Sequence, residues 1–233
     1  MGGGALFFAI YDNIQQAFLS DKNLDLIITY NVIKRDYETL IQQLEEHKKK
    51  HNKDYYYKVR KNHYPQDPID IASRFIYLNK TCYNGLWRTN SKGEFNVPIG
   101  RYKDPNIVQK DNLKACNEAL QCAIIEYHDF EDVMPKKNDF VYIDPPYHPT
   151  DDKSFTKYTK LDFSEKDQIR LHDYIIELYK NGVKVMISNS KTEFIDDLFS
   201  EKFFNKEIID APRFVNCKSD KRKPVKEFII TTY

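Results

Sequence analysis

Two adjacent prolines, Pro145 and Pro146, follow closely on the run Asp139-Phe140-Val141-Tyr142-Ile143. Proline has no backbone N–H and fixes its own φ, so a strand hydrogen-bonded on both sides cannot run through the pair. Each proline also pushes the residue before it out of the helical region. The run therefore ends in a rigid extended stop, with Asp144 on one side of it and Tyr147 on the other. In an open α/β sheet, ligands lie outside the carboxyl ends of strands. A carboxylate and an aromatic ring at such an end constrain the fold and its use more than any other feature of the chain.

The surrounding texture agrees with a sheet of that kind. Ala123-Ile124-Ile125-Glu126-Tyr127 reads as a strand, and Ser164-Glu165-Lys166-Asp167 opens a helix carrying Ile169, Leu171, Ile175, Ile176 and Leu178. Gly182 ends that helix, and Val183–Ile187 reads as the next strand. A helix near Thr192–Phe199 and strands near 206–211 and 225–231 follow. Strands alternating with helices of this length predict an α/β fold with a largely parallel sheet and helices on both faces.

Upstream, Ala5–Ile10 reads as helix, and apolar residues from Leu24 to about Glu46 recur at three- and four-residue steps, with room for one break. Asn23 is the expected N-cap. Residues 47–64 concentrate Lys, Arg and His among tyrosines; they read either as a solvated helix end and loop or as a phosphate-facing segment. Asp67-Pro68 starts a helix to about Lys80, and a short helix spans about Asn112–Gln121. Between them, 83–105 is rich in turns. Residues 47–110 look inserted into the alternation: the expected division is a catalytic domain of 1–46 and 111–233 and a recognition domain of 47–110.

At 233 residues with 41% hydrophobic content, the chain has material for one core with a sizeable insertion. The formal charge of +1 selects no partner, so attraction to a polyanion must come from local clusters. Cys82, Cys116, Cys122 and Cys217 form no CxxC pair, which fits reduced intracellular cysteines and no zinc site. No HExxH or carboxylate cluster has ligand spacing, so no metal is expected. No apolar run approaches the roughly 18–20 residues that cross a bilayer, and no basic-apolar-small leader opens the chain. The expected location is cytoplasmic and nucleoid-associated, or a nucleus or viral factory in a eukaryotic host.

Asp144-Pro145-Pro146-Tyr147 suits an exocyclic amine on a flat heterocycle. The amine lone pair of adenine is delocalised into the ring and is a poor nucleophile. Acceptors from Asp144 and the Pro145 carbonyl, the proline carbonyls being free, would hold both amine protons and favour a pyramidal nitrogen. Stacking on Tyr147 would orient the ring, worth on the order of 1–3 kcal/mol. A base within a duplex must first be flipped out. The bland alternative is an Asp N-cap before a proline turn.

Residues 82–105 read CYNGLWRTNSKGEFNVPIGRYKDP. Here the chain closely resembles the Dam-type (D12 class, alpha-group) DNA adenine-N6 methyltransferases, which carry an NGL-x-R-x-N hairpin followed by GEFNVP-x-GRY. Ser20-Asp21-Lys22-Asn23, Phe155-Thr156-Lys157-Tyr158, Ser188-Asn189 and the closing VKEFIITTY match as well, so the resemblance covers essentially the whole chain. It implies a Rossmann-like methyltransferase sheet with an inserted helical, hairpin-bearing DNA-recognition domain, S-adenosyl-L-methionine as methyl donor, and double-stranded DNA as partner. Carried over by position, Asp144, Pro145, Pro146 and Tyr147 are catalytic. Tyr83 wedges into the duplex, Asn84 lies beside the orphaned base, and Arg88 reads a guanine edge. Leu86 and Pro98 meet a thymine methyl, Tyr102 helps read the outer pair, and Arg101 joins the DNA contacts. Without the resemblance, Leu86 and Pro98 read equally as hairpin packing, and Arg88 and Arg101 as phosphate contacts. This hairpin version accompanies GATC in the family. Gly2, Gly3 and Gly4 resemble the end of its FVGGGA cofactor loop. Asp21 matches the acid that accepts from ribose hydroxyls, and Asp144 also reaches the donor's ammonium end.

Met1 stands where the family carries the Val of that loop. The competing expectations are a misplaced start, a chain completed by a separate N-terminal polypeptide, or a decayed gene. The last two lead to the alternative function, a catalytically impaired fragment acting as a DNA-binding or partner subunit. Cytosine-N4 methylation is the further alternative; Asp144 and the hairpin argue against it. Restriction–modification, repair marking and viral self-marking are all open roles.

Overall fold

Ala5–Ile10 forms helix α1 in the computed structural model, which describes residues 1–62, 65–150, 163–211 and 225–233. Contacts divide the chain into two compact units, Met1–Asp129 and Phe130–Tyr233. The Phe155–Tyr158 match and Cys217 lie outside the described residues, as do His63 and Tyr64 of the basic segment.

In the first unit a short turn, Tyr11–Asn13, leads to strand β1, Ala17–Asp21. Periodicity assigns no strand there, because five residues ending in Ser-Asp give no usable pattern. The strand exists through pairing: it runs parallel to β2, Ala123–Tyr127, from Ala17↔Ala123 to Asp21↔Tyr127. Helix α2, Leu24–Lys50, is capped by the Asn23 side chain, which accepts from the Leu26 N–H at 3.2 Å. Its break falls at Asp36, where φ is −153° and ψ is 61°. The Asp36 carboxylate accepts from the Thr39 N–H at 3.1 Å and so restarts the helix as a second cap.

The basic segment is more ordered than a helix end and loop. Lys53–Lys61 forms α3, with Asn52 accepting from the Tyr55 N–H at 2.9 Å and Tyr56 fully buried. Arg74, nearly buried on α4 (Pro68–Thr81), donates to the carbonyls of Val59 and Arg60 and closes the far end of α3. A Pro at the start of α4 leaves Asp67 to accept from the Ile69 and Asp70 N–H groups. Helix α5, Lys110–Leu120, returns the chain to β2. Leu40, Leu44, Tyr56, Tyr77, Leu78 and Leu120 are among the most deeply buried members of this unit's core.

The second unit holds β3 (Phe140–Ile143), α6 (Glu165–Lys180), β4 (Lys184–Ser190), α7 (Glu193–Leu198), β5 (Asn205–Ala211) and β6 (Val225–Thr231). Ser164 and Asp167 close a reciprocal capping box at the start of α6. The strand order is β3-β4-β6-β5. β3 and β4 run parallel, whereas β4–β6 and β5–β6 are antiparallel, so the sheet is mixed rather than largely parallel. β5 and β6 are near in sequence with no helical pattern between them, and only a long crossover brings successive strands parallel. Val185, Ile187, Phe228 and Ile230 form one core with Leu171, Ile175 and Leu178 of α6 and Ile195 and Phe199 at α7. Among the described residues no helix is long and apolar enough to cross a membrane.

Candidate functional site

Strand alternation sorts the second sheet into an apolar and a polar side. Val141, Ile143, Val185 and Ile187 alternate with Tyr142, Asp144, Met186 and Ser188, and the parallel register Ile143↔Ile187 sets Asp144 level with Ser188. The Ser188 hydroxyl, on a nearly buried residue, donates to Asp144 Oδ1 at 3.1 Å. Tyr142 and Ser188 hydroxyls lie 3.1 Å apart; because Ser188 has spent its proton on Asp144, Tyr142 is the donor. Asp144 itself is exposed. Tyr147, also exposed, reaches Glu227 Oε2 with its hydroxyl at 3.4 Å. Burial raises the Tyr142 phenol and pushes Tyr147 up to about 12, so both keep their protons at neutral pH.

The prolines are held from behind. Gln168 of α6, essentially buried, donates to the Pro146 carbonyl at 2.9 Å, and its own oxygen accepts from Asn189 Nδ2 at 3.1 Å. Asn189 Oδ1 accepts in turn from the His148 and Ser190 N–H groups. This corrects the expectation that both proline carbonyls are free: Pro146's is committed to Gln168. Among the described residues nothing donates to that of Pro145. Gln168 shares the stripe of Leu171, Ile175 and Leu178, and a glutamine in such a stripe was the available signal for a buried polar tie.

The sequence hairpin is a hairpin in space. Isolated bridges join Cys82 to Ile99 and Thr89 to Phe95, and the Tyr83 N–H donates to the Pro98 carbonyl at 2.9 Å. Trp87 is wedged between Phe75 of α4, at 4.1 Å between ring centroids, and Phe95, at 4.7 Å. Tyr56 and Arg60 of α3 both donate to the Val97 carbonyl. These ties bring Tyr83, Asn84, Leu86, Arg88, Pro98, Arg101 and Tyr102 together. Tyr83 is half-buried, and the other six are exposed. Asn96 Oδ1 accepts from Arg88 Nε at 2.7 Å, leaving the guanidinium fork outermost. A Cβ on Gly100 would stand 2.5 Å from the Tyr102 ring and 2.8 Å from the Cys82 carbonyl, so only glycine lets Tyr102 fold across this point. Trp87, Asn96, Tyr56 and Arg60 carry no sequence mark of these duties beyond lying in or near the hairpin.

Gly2, Gly3 and Gly4 form a tight turn ahead of α1, separate from the hairpin and within the first unit. Gly4 has φ +68°, and a Cβ there would lie 2.9 Å from the Phe8 ring. On Gly2 and Gly3 a Cβ would meet nothing within 4 Å, so the turn offers open space to a ligand. Asp21, at the carboxyl end of β1, accepts from the Gly2 N–H through Oδ2 and the Asn23 N–H through Oδ1, both at 2.9 Å. Oδ2 also faces the Met1 amino group at 3.3 Å, so Oδ1 is the oxygen with a lone pair left for a further donor. An open glycine turn clasped to an acceptor carboxylate fits the ribose and backbone-contacting part of a nucleoside-type cofactor.

The family model of D12 class N6 adenine-specific DNA methyltransferases matches residues 1–213. The chain is 42% identical to the type II methyltransferase M.MjaIII of Methanocaldococcus jannaschii, over all of this chain and 86% of that protein. Identity to the type II methyltransferase M1.LlaDCHI of Lactococcus lactis subsp. cremoris is 39%, over all of this chain and 84% of the relative. To the DNA adenine methylase of Haemophilus influenzae it is 31%, over 98% of this chain and 81% of the relative.

Proposed function

The chain belongs to the D12 class N6 adenine-specific DNA methyltransferases, and from that premise we propose that it methylates N6 of an adenine flipped out of a GATC site, with S-adenosyl-L-methionine as donor. The observation that carries the proposal is the polar edge of β3: Asp144 exposed with one oxygen committed to Ser188, beside a buried Pro145 whose carbonyl accepts from nothing among the described residues. Asp144 Oδ2 and the Pro145 carbonyl take the two amine protons. Held so, the nitrogen is drawn out of conjugation and its lone pair localises, which nucleophilic attack requires. Tyr147 stacks on the purine, and its neutral phenol keeps the face free of charge. Preorganised acceptors and orientation supply the acceleration.

Gly2, Gly3, Gly4 and Asp21 hold the donor, Asp21 through ribose hydroxyls. The donor supplies an electrophilic methyl group on a sulfonium sulfur. Residues 47–110 read the target, and 1–46 with 111–233 carry the catalytic machinery. Tyr83 fills the gap left by the flipped base, Asn84 faces its former partner, and Arg88 reads a guanine through the fork that Asn96 leaves outermost. Leu86 and Pro98 meet the thymine methyl, while Arg101 and Tyr102 complete the footprint.

Methyl transfer to duplexes containing GATC or its scrambled counterpart, followed by nucleoside analysis, tests the proposal. N6-methyladenine confined to the GATC duplex is expected. Equal labelling of both duplexes, unaffected by Arg88→Ala, would remove the GATC assignment; N4-methylcytosine would remove the adenine one.

A further inference from the structure

We propose that Ser188 is a positioning residue for this reaction: with Tyr142 behind it, its hydroxyl holds Asp144 in the rotamer that leaves Oδ2 and the Pro145 carbonyl as a matched acceptor pair. The proposal rests on the reading that Asp144 receives the target amine. An exposed aspartate just beyond a strand has several staggered rotamers open to it, and they aim its oxygens in different directions. Something rigid must choose. Ser188 is suited to this because it sits inside β4, paired to β3 on one side and to β6 on the other, and is 3% exposed.

The direction of the relay follows from proton counting. Ser188 has one proton and gives it to Asp144 Oδ1 at 3.1 Å. Its oxygen then accepts from the Tyr142 hydroxyl at 3.1 Å, which orients the serine proton away from the phenol and toward the carboxylate. Tyr142, Ser188 and Asp144 share one side of the sheet because Tyr142 and Asp144 are two residues apart and Ser188 is level with Asp144 across the ladder. Neither Ser188 nor Tyr142 needs to touch the purine. Both act through Asp144.

The test is kinetic and uses the full chain. Ser188→Ala is expected to lower kcat about 10- to 100-fold through loss of alignment, with KM for S-adenosyl-L-methionine and for duplex within about twofold of wild type. Ser188→Thr, which keeps the hydroxyl, restores most of kcat. Tyr142→Phe lowers kcat by roughly 3- to 10-fold, because the serine can then turn away. The double variant Ser188→Ala/Tyr142→Phe is no slower than Ser188→Ala alone, since the phenol has nothing left to orient. Should Ser188→Ala not fold, Tyr142→Phe tests the proposal by its kcat-only loss. Wild-type kcat in Ser188→Ala, or effects of the two changes that multiply, would overturn the positioning role while leaving the parent reading intact. Undiminished methylation by Asp144→Ala would overturn the parent reading instead.

Discussion

The hairpin from Tyr83 to Tyr102 exposes all but the half-buried Tyr83 of the side chains proposed to read DNA, and it is anchored on buried Phe95 and Val97 with Trp87 half-buried beside them. The carboxyl edge of β3 does the reverse: the motif residues Asp144 and Tyr147 are exposed, but Ser188, Asn189 and Gln168, which hold the motif, are buried and polar. A surface that must reach into a groove gains from long side chains on a short framework. A site that must align one nitrogen gains from a stiff lattice of paired polar groups. On the proposed roles, the recognition hairpin leans more on apolar packing and the catalytic edge more on buried hydrogen bonds.

The contrast is broken or sharpened by five measurements. Asp144→Ala removes the proposed acceptor of the target amine, so methylation is expected to fall by at least about 10³-fold while duplex affinity, measured by anisotropy, stays near wild type. Trp87→Ala opens the wedge between Phe75 and Phe95 and is expected to cost about 3 kcal/mol in denaturant unfolding. Its loss of GATC preference should accompany the loss of stability. Gln168→Leu strands the Pro146 carbonyl and the Asn189 amide; about 2 kcal/mol of destabilisation is expected, with kcat reduced and duplex affinity kept. Arg88→Ala should narrow discrimination between GATC and duplexes altered at a G·C pair by roughly 1–3 kcal/mol, read as a ratio of kcat/KM values. If Arg88→Ala instead removed kcat as Asp144→Ala does, recognition and chemistry would not be separable.

Acid gives the mildest separation. His47, at the end of α2, is stacked on Tyr77 and bonded to the Tyr55 hydroxyl at 2.9 Å. Burial drives its pKa down from 6.5 to about 4. The unfolded chain therefore takes up this proton first. The contribution is complete above pH 6.5 and is lost as pH falls toward 4, at no more than about 1.4 kcal/mol per pH unit. Hydrogen exchange from pH 7 to 5 should loosen α2, α3 and α4, the frame that carries the hairpin. His47→Phe should blunt that trend; an unchanged pH dependence would remove His47 as its source.

Helix starts were legible wherever local chemistry announces them. Asn23 caps as expected, and Asp67, Ser164 and Thr192 cap the helices expected to begin there, because a cap joins residues at most three apart. The strand into Asp144 and the turn that follows were legible for the same reason: proline acts on its own φ and its neighbour's. Local rules did not reach β1, which has no period of its own and depends on β2. Nor did they reach the antiparallel half of the second sheet.

The amino-acid sequence by itself determined the type and order of most elements, the proline stop with its carboxylate and aromatic, and the family through the hairpin residues. Tertiary structure alone decided that Ser188 lies level with Asp144, that Gln168 claims the Pro146 carbonyl, and that Trp87 and Gly100 set the hairpin's shape. The division has a physical cause. Caps, turns and periodicity are energies between near neighbours, whereas register and buried polar pairing are settled only when distant segments meet and each donor finds its acceptor.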